Sequence, residues 1–101
     1  MESMWLIKTS QAVDLSEQQW VDCDTGNYGC NGGWMNTAFT YAKTNAIASE
    51  ANYPYTARGG TCNAANVTGI VNTTGYVNVT RYSPSALQTA VRNVGPVTIA
   101  V

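Results

Sequence analysis

Histidine is absent from this chain of 101 residues, and charged residues make up only 11% of it. Because histidine is the commonest general base in enzymes, no complete hydrolytic triad that uses it can be built from these residues. Five Lys and Arg side chains against six Asp and Glu give a net charge of −1, which argues against a nucleic-acid partner. No apolar run approaches the roughly 18 residues that a membrane helix needs, so no membrane partner is expected.

Three cysteines, at positions 23, 30 and 62, leave one thiol without a partner in the chain. Without histidine they match no usual zinc spacing, and the segment from Asp22 lacks the acidic twelfth residue of a calcium loop because Gly33 stands there. We therefore expect no metal and no cofactor. A chain of this length supports one domain or a piece of one. The odd cysteine and the missing base favour a piece of something larger.

Apolar spacing and capping signals predict four helices. Ser16 is a candidate N-cap with Gln19 three residues later, the pattern of a capping box, and Leu15 and Trp20 stand near the positions of a hydrophobic staple. The Ser83-Pro84 pair opens the last helix. The predicted helices cover Met1 to Lys8 (the end of a largely buried helix), Ser16 to Val21, Trp34 to Thr44, and Pro84 to Gly95.

Loops and strands fill the remainder. Residues 22–33 contain four glycines and two cysteines, which predicts an ordered loop, and residues 52–62 form a turn-rich connection. Residues 67–80 are rich in Val, Ile, Thr and Tyr around Gly75, which predicts two short strands or one bent strand. A further strand is expected to begin at Pro96.

Four segments together resemble the papain-like cysteine peptidases of the papain and cathepsin L type: LSEQQWVDC at 15–23, GCNGG at 29–33, YPYT at 53–56 and GPVTIA at 95–100. The resemblance covers the whole chain. It implies an α+β, papain-like two-domain fold, with residues 1–62 in the helical domain and residues 63–101 at the beginning of the β-rich domain. It also implies that the catalytic Cys precedes this chain and that the His and Asn follow it.

The activity implied is hydrolysis of peptide bonds through a thiolate nucleophile, and none of the catalytic residues matches a position here. The chain alone is therefore expected to be inactive. One alternative is a non-catalytic homologue that acts as a secreted binding or structural protein. Another is a free-standing module stapled by a disulfide, against which the odd cysteine argues.

The resemblance implies that the chain contains part of a substrate cleft. Extended peptides bind by main-chain hydrogen bonds, which need a bare backbone edge, and Gly32 and Gly33 offer one. By correspondence with the family, Trp34 and Met35 line the pocket for the residue two before the scissile bond. Two further residues belong to the same expectation, Ala100 as another wall and Tyr28 at the next site outward. The pocket is expected to be apolar and to accept Leu, Val, Phe or Tyr.

The resemblance also assigns covalent features and partners. It pairs Cys23 with Cys62 and places the partner of Cys30 upstream of Met1. Asn66, Asn72 and Asn78 each begin an Asn-X-Thr glycosylation sequon, about as many as chance gives in a chain so rich in Asn and Thr. The partners implied are a peptide or protein substrate and a propeptide or cystatin-like inhibitor, in a lysosomal, vacuolar or secreted location.

Two positions depart from the family pattern. Ala46 stands where the family usually has glycine after the long helix, so either the alanine is forced to positive φ at a cost of about 1 kcal/mol or the helix ends earlier. Trp20 replaces a typical Leu. The core must accommodate this larger side chain or leave it partly exposed.

Overall fold

The computed structural model describes residues 1–101 and contains four helices and one two-stranded sheet. The helices are α1 (Glu2–Thr9), α2 (Glu17–Cys23), α3 (Met35–Thr44) and α4 (Pro84–Asn93), and the strands are β1 (Ile47–Ala48) and β2 (Gly69–Val71). Two short 3₁₀ helices cover Gly29–Asn31 and Ala64–Asn66. All four predicted helices are confirmed, with bounds within about two residues of those expected.

The N-terminus of α2 forms as its sequence predicts. Ser16 caps it, since its Oγ accepts a hydrogen bond from the backbone N–H of Gln19 at 3.0 Å. Leu15 belongs to the core and Trp20 packs against it, as a staple requires. The reciprocal half of the capping box does not form, because the Ser16 N–H donates instead to the carbonyl of Ala48.

The core lies between α2, α3 and the sheet. It consists of Leu15, Ala42, Ile47 and Val71, with half-buried Trp20 and Tyr41 among the side chains around it. Strands β1 and β2 pair antiparallel, with Ile47 opposite Val71 and an irregularity beside it. Gly69 has no room for a β-carbon because Ala46 approaches it closely. The glycine therefore permits the close contact that closes this sheet.

Helix α3 ends at Thr44, and Asn45 follows in an extended conformation with φ −124°. Ala46 is not among the residues with positive φ. The second alternative given for Ala46 is therefore correct, because the early helix end removes the need for glycine. Trp20 is accommodated half-buried, with its indole N–H donating to the carbonyl of Ala38 at 3.2 Å.

Three expectations about local structure are wrong for these residues. Helix α1 contains no buried residue. Trp5 packs half-buried against the core, whereas Leu6 and Ile7 are exposed. Within 67–80 only Gly69–Val71 is a strand, and residues 96–101 form none. A strand needs a neighbour for its backbone hydrogen bonds, and β1 offers only two residues.

Candidate functional site: a glycine loop with an open backbone edge

The loop from Asn27 to Trp34 is closed by its own backbone. The N–H of Tyr28 donates to the carbonyl of Gly32 at 3.0 Å, and the N–H of Gly32 donates to the carbonyl of Gly29 at 3.2 Å. Gly32 has a φ of 107°, a conformation that only glycine adopts readily. Both main-chain polar groups of Gly32 are therefore already paired inside the loop, and its N–H is not available to a peptide.

Gly33 differs from its neighbour. Neither its N–H nor its carbonyl has a hydrogen-bond partner within the chain, and the residue is exposed. A main-chain donor and acceptor on one exposed residue are what an added strand needs. Of the two glycines predicted to form the substrate edge, the structure thus leaves only Gly33 with free main-chain groups.

The flanking aromatic side chains point away from the core. Tyr28 is 70% exposed and Trp34 is 71% exposed, whereas Met35 is half-buried at the start of α3. Met35 also lines a groove of about 730 Å³ that includes Phe39, Tyr76, Leu87 and the segment 97–99. Ala100 is exposed and directly follows that segment, although it is not among the lining residues. Met35 and the segment before Ala100 thus meet at one apolar groove.

Two residues that the sequence analysis did not single out hold this loop. Asn27 Oδ1 accepts the N–H of Trp34 at 2.7 Å, and Asn27 Nδ2 donates to the carbonyl of Trp34 at 3.2 Å. The same Nδ2 donates to Asp24 Oδ2 at 2.7 Å. An asparagine in a glycine-rich segment reads as a turn former, so the sequence contains no signal for this bridging role.

Two buried glutamines of helix α2 bind backbone groups of distant segments. Gln19 donates to the carbonyl of Ala46 at 3.0 Å and accepts the N–H of Ala48 at 2.8 Å, which ties the sheet to the helix. Gln18 donates to the carbonyl of Arg58 at 2.7 Å and accepts the N–H of Thr56 at 2.9 Å. Both side chains therefore fix loops that would otherwise leave backbone groups unpaired.

The disulfide between Cys23 and Cys62 closes a separation of 39 residues, as the resemblance implied. Cys30 is free and exposed. Beside the bridge, the hydroxyl of Tyr53 donates to Asp22 Oδ2 at 2.8 Å and accepts the N–H of Asn63 at 3.0 Å. Burial, together with the hydrogen bond to the Asp22 carboxylate, raises the pKa of Tyr53.

The three sequon asparagines lie in different settings. Asn66 is exposed and donates to Asn63 Oδ1 at 2.6 Å. Asn72 donates to the carbonyl of Ala42 at 3.2 Å, at the end of the core strand, and Asn78 accepts from Asn36 at 3.1 Å beside the groove. Glycosylation stays a prediction for all three.

The family model described as "Papain family cysteine protease" matches residues 1–101. The chain belongs to this family. Digestive cysteine proteinase 1 of Homarus americanus is 44% identical over 105 residues, an alignment that covers all of this chain and 33% of the relative. Procathepsin L of Rattus norvegicus is 42% identical over 110 residues, again over the whole chain and 31% of the relative.

Solved structures of papain-like proteases share the fold. A cysteine protease of Carica candamarcensis, in complex with E-64, superimposes with a TM-score of 0.87 and 33% identity, covering 91% of this chain and 44% of that one. The ragweed pollen protease Amb a 11, in its proform, gives 0.85 with 43% identity and covers 91% of this chain and 28% of that one. The predicted fold class, an α+β papain-like fold with helical domain and start of the β-rich domain, is confirmed.

The chain spans about a third of the length of these two curated relatives. Its family is that of the papain-like thiol proteases. None of its helices has the length and apolar character required to cross a bilayer. No cluster of three or more His, Cys, Asp or Glu side chains that could hold a metal ion occurs.

Proposed function

We propose that these residues form the central part of a cysteine peptidase that hydrolyses peptide bonds through a thiolate nucleophile lying outside residues 1–101. The observation that carries the proposal is the pair of free main-chain groups on Gly33, in a chain of the papain family. A peptide that adds as an antiparallel strand donates one N–H and accepts one hydrogen bond at each paired residue. Gly33 can supply both partners to the substrate residue two before the cut.

We further infer that the pocket for that substrate residue is apolar. Trp34 stands exposed next to the free edge, and Met35 begins the helix that borders the groove. Ala100 forms another wall and Tyr28 borders the next site outward. Burying a Leu or Phe side chain against such residues contributes about 1.5–3 kcal/mol, so peptides with Leu, Val, Phe or Tyr at this place are preferred.

The partners proposed for the whole protein are a peptide or protein substrate and a propeptide or cystatin-like inhibitor. Support comes from relatives: one is named Procathepsin L, and the ragweed pollen protease was solved as a proform. A lysosomal, vacuolar or secreted location is proposed on the same basis, since other relatives are named digestive proteinases. The disulfide between Cys23 and Cys62 also favours an oxidising compartment.

The test begins with the transcript across both ends of this region. An in-frame Cys-Trp pair before a helical segment upstream, with a His and an Asn downstream, is expected. The protein encoded by that transcript should cleave a fluorogenic peptide with Leu two residues before the cut faster than a matched peptide with Asp there, and iodoacetamide should abolish cleavage. The 101-residue chain, which contains no histidine, should cleave neither.

Two results would contradict the proposal. A Ser or Gly in place of the upstream cysteine would make the protein a non-catalytic papain-fold homologue, with binding as its activity. Cleavage by the purified 101-residue chain, abolished by a thiol reagent, would place the nucleophile within these residues.

A further inference from the structure

The side-chain amide of Asn27 pairs with Trp34 as a neighbouring strand would. Its Oδ1 accepts the Trp34 N–H at 2.7 Å, and its Nδ2 donates to the Trp34 carbonyl at 3.2 Å. A primary amide carries one acceptor and one donor group in the same plane, so it matches the two main-chain groups of a single residue. Asn27 is half-buried and Trp34 directly follows the free edge of Gly33.

Asp24 fixes which way the amide of Asn27 points. It is buried, with only 6% of its surface exposed, and its carboxylate can only accept hydrogen bonds. Its Oδ2 receives the Asn27 Nδ2 at 2.7 Å, so the oxygen of the amide must face the Trp34 N–H. The Asp24 N–H in turn donates to the carbonyl of Trp20 at 3.1 Å, which anchors the arrangement to the end of α2.

Asn27 therefore determines which backbone groups of the loop stay free. The loop itself pairs the main-chain groups of Gly32. Asn27 pairs the N–H of Trp34 and shares its carbonyl with the N–H of Ala38. Gly33, between them, keeps both of its groups unpaired. The side chain of Asn27 also lies where a β-carbon of Gly33 would be, so it supports the back of the edge directly.

We propose that Asn27, oriented by Asp24, is a positioning residue that sets the register in which an extended peptide pairs with Gly33. This inference rests on the proposed function, because it concerns the same edge. It assigns Asn27 no contact with the substrate. Its side chain holds the N–H and carbonyl of Gly33 at the spacing of a strand. Because it also pairs with Trp34, a peptide cannot bind one residue out of register by pairing with Trp34 instead.

A purely structural role for Asn27 predicts a different result from a positioning role. If the residue only stabilised the loop, its loss would weaken the binding of both peptides by the same factor. If it sets the register, its loss removes the benefit of the specific main-chain bonds to Gly33. Methylation of the peptide nitrogen that pairs with the Gly33 carbonyl reports on those bonds, since it deletes one donor and leaves the side chains unchanged.

The experiment compares two fluorescein-labelled peptides that contain Leu at the paired position, one of them N-methylated at that Leu. Their Kd values are measured by fluorescence anisotropy on the oxidised 101-residue chain and its variants. Asn31→Ala is the matched control, because Asn31 lies in the same loop and its side chain makes no hydrogen bond. The indole N–H resonance of Trp20, which donates to Ala38, reports whether each variant is folded.

For the unchanged chain and for Asn31→Ala, methylation should weaken binding by about tenfold, the size of one net hydrogen bond. We call the ratio of the two Kd values, methylated over unmethylated, the methylation penalty. Asn27→Ala should bind the unmethylated peptide about tenfold more weakly and should lose most of this penalty. Asn27→Asp should behave similarly, because a carboxylate at position 27 would face and repel the carboxylate of Asp24. The double variant D24N/N27D restores a donor between positions 24 and 27 and an acceptor for the Trp34 N–H, but it has no donor for the Trp34 carbonyl. It should therefore recover part of the penalty.

A folded Asn27→Ala variant that keeps the full methylation penalty would overturn this inference and leave the proposed function intact. Failure of D24N/N27D to recover any of the penalty lost in Asn27→Asp would likewise overturn the assigned role of Asp24. An unchanged chain that binds both peptides equally, or neither, would overturn the proposed edge at Gly33 and the inference with it.

Discussion

The side chain of Asn27 fills the space that a β-carbon on Gly33 would occupy. Glycine is therefore required at position 33 because the Asn27 side chain lies so close to its backbone. Its backbone angles do not require glycine, since its φ lies outside the positive range. Gly33→Ala must displace Asn27 and break its hydrogen bonds to Trp34 and Asp24.

For Gly33→Ala we predict about tenfold or greater loss of affinity for an extended Leu-containing peptide, because the supporting amide is expelled. Anisotropy titration measures the loss. Gly59→Ala is the control, since its β-carbon meets nothing within 4 Å and its φ is not positive. Equal affinities of the two variants would contradict the required close approach at position 33.

Gln19→Leu should destabilise the chain by about 2–3 kcal/mol. The substitution keeps the volume but leaves the buried N–H of Ala48 and the carbonyl of Ala46 without partners. Urea denaturation measures the change in the free energy of unfolding. Gln88→Leu, on the exposed surface of α4, should change it by no more than about 0.5 kcal/mol. Similar effects at both positions would refute the role of Gln19 as the tie between helix and sheet.

Removing the disulfide with Cys23→Ser and Cys62→Ser together should cost about 4 kcal/mol in the chain-entropy model, because a separation of 39 residues is released in the unfolded chain. Cys30→Ser removes a free and exposed thiol and should leave stability unchanged. Thermal unfolding of the two variants checks the difference. A loss in Cys30→Ser as large as in the double variant would show that Cys30, too, is structurally engaged.

The stability of the chain should decrease at alkaline pH because of Tyr53. Its pKa in the folded chain is raised, first by burial and then by the Asp22 carboxylate. The unfolded chain therefore loses the Tyr53 hydroxyl proton at a lower pH than the folded chain. The stabilisation that this hydroxyl gives to the folded chain is complete below a pH of about 10, and it is lost as the pH rises through the folded pKa. Tyr53→Phe should be less stable near neutral pH by about 1–2 kcal/mol, because Asp22 and the Asn63 N–H lose a partner.

The measurement for Tyr53 is the difference in unfolding free energy between the unchanged chain and Tyr53→Phe as a function of pH. The difference should shrink as the pH rises above about 10. A difference that stays constant through this range would contradict the raised pKa.

The helices were predictable from sequence because their signals are local. Ser16 and Ser83 cap their helices as expected, with side-chain oxygens accepting backbone N–H groups three residues on. Gly95 follows the end of α4 with φ 142°. The early end of α3 at Thr44 explains how an alanine is tolerated where the family usually has glycine.

Features that depend on distant partners were not predictable in the same way. The two-residue strand β1 exists only because Val71 returns to lie opposite Ile47. The β-rich composition of residues 72–80 and 96–101 does not make strands there, since neither segment has a neighbouring strand to pair with. Asn27 and Asp24 escaped notice for a related reason, because their roles depend on how the loop folds back.

The most direct test of the account is a titration of the ¹⁵N-labelled chain with an extended Leu-containing peptide, followed by amide chemical shifts and hydrogen exchange. We predict that the Gly33 amide shifts and exchanges more slowly as peptide is added, while the Gly59 amide stays unchanged. Perturbation confined to the groove around Tyr76 and Leu87, or none at Gly33, would contradict the assignment of Gly33 as the substrate-binding edge.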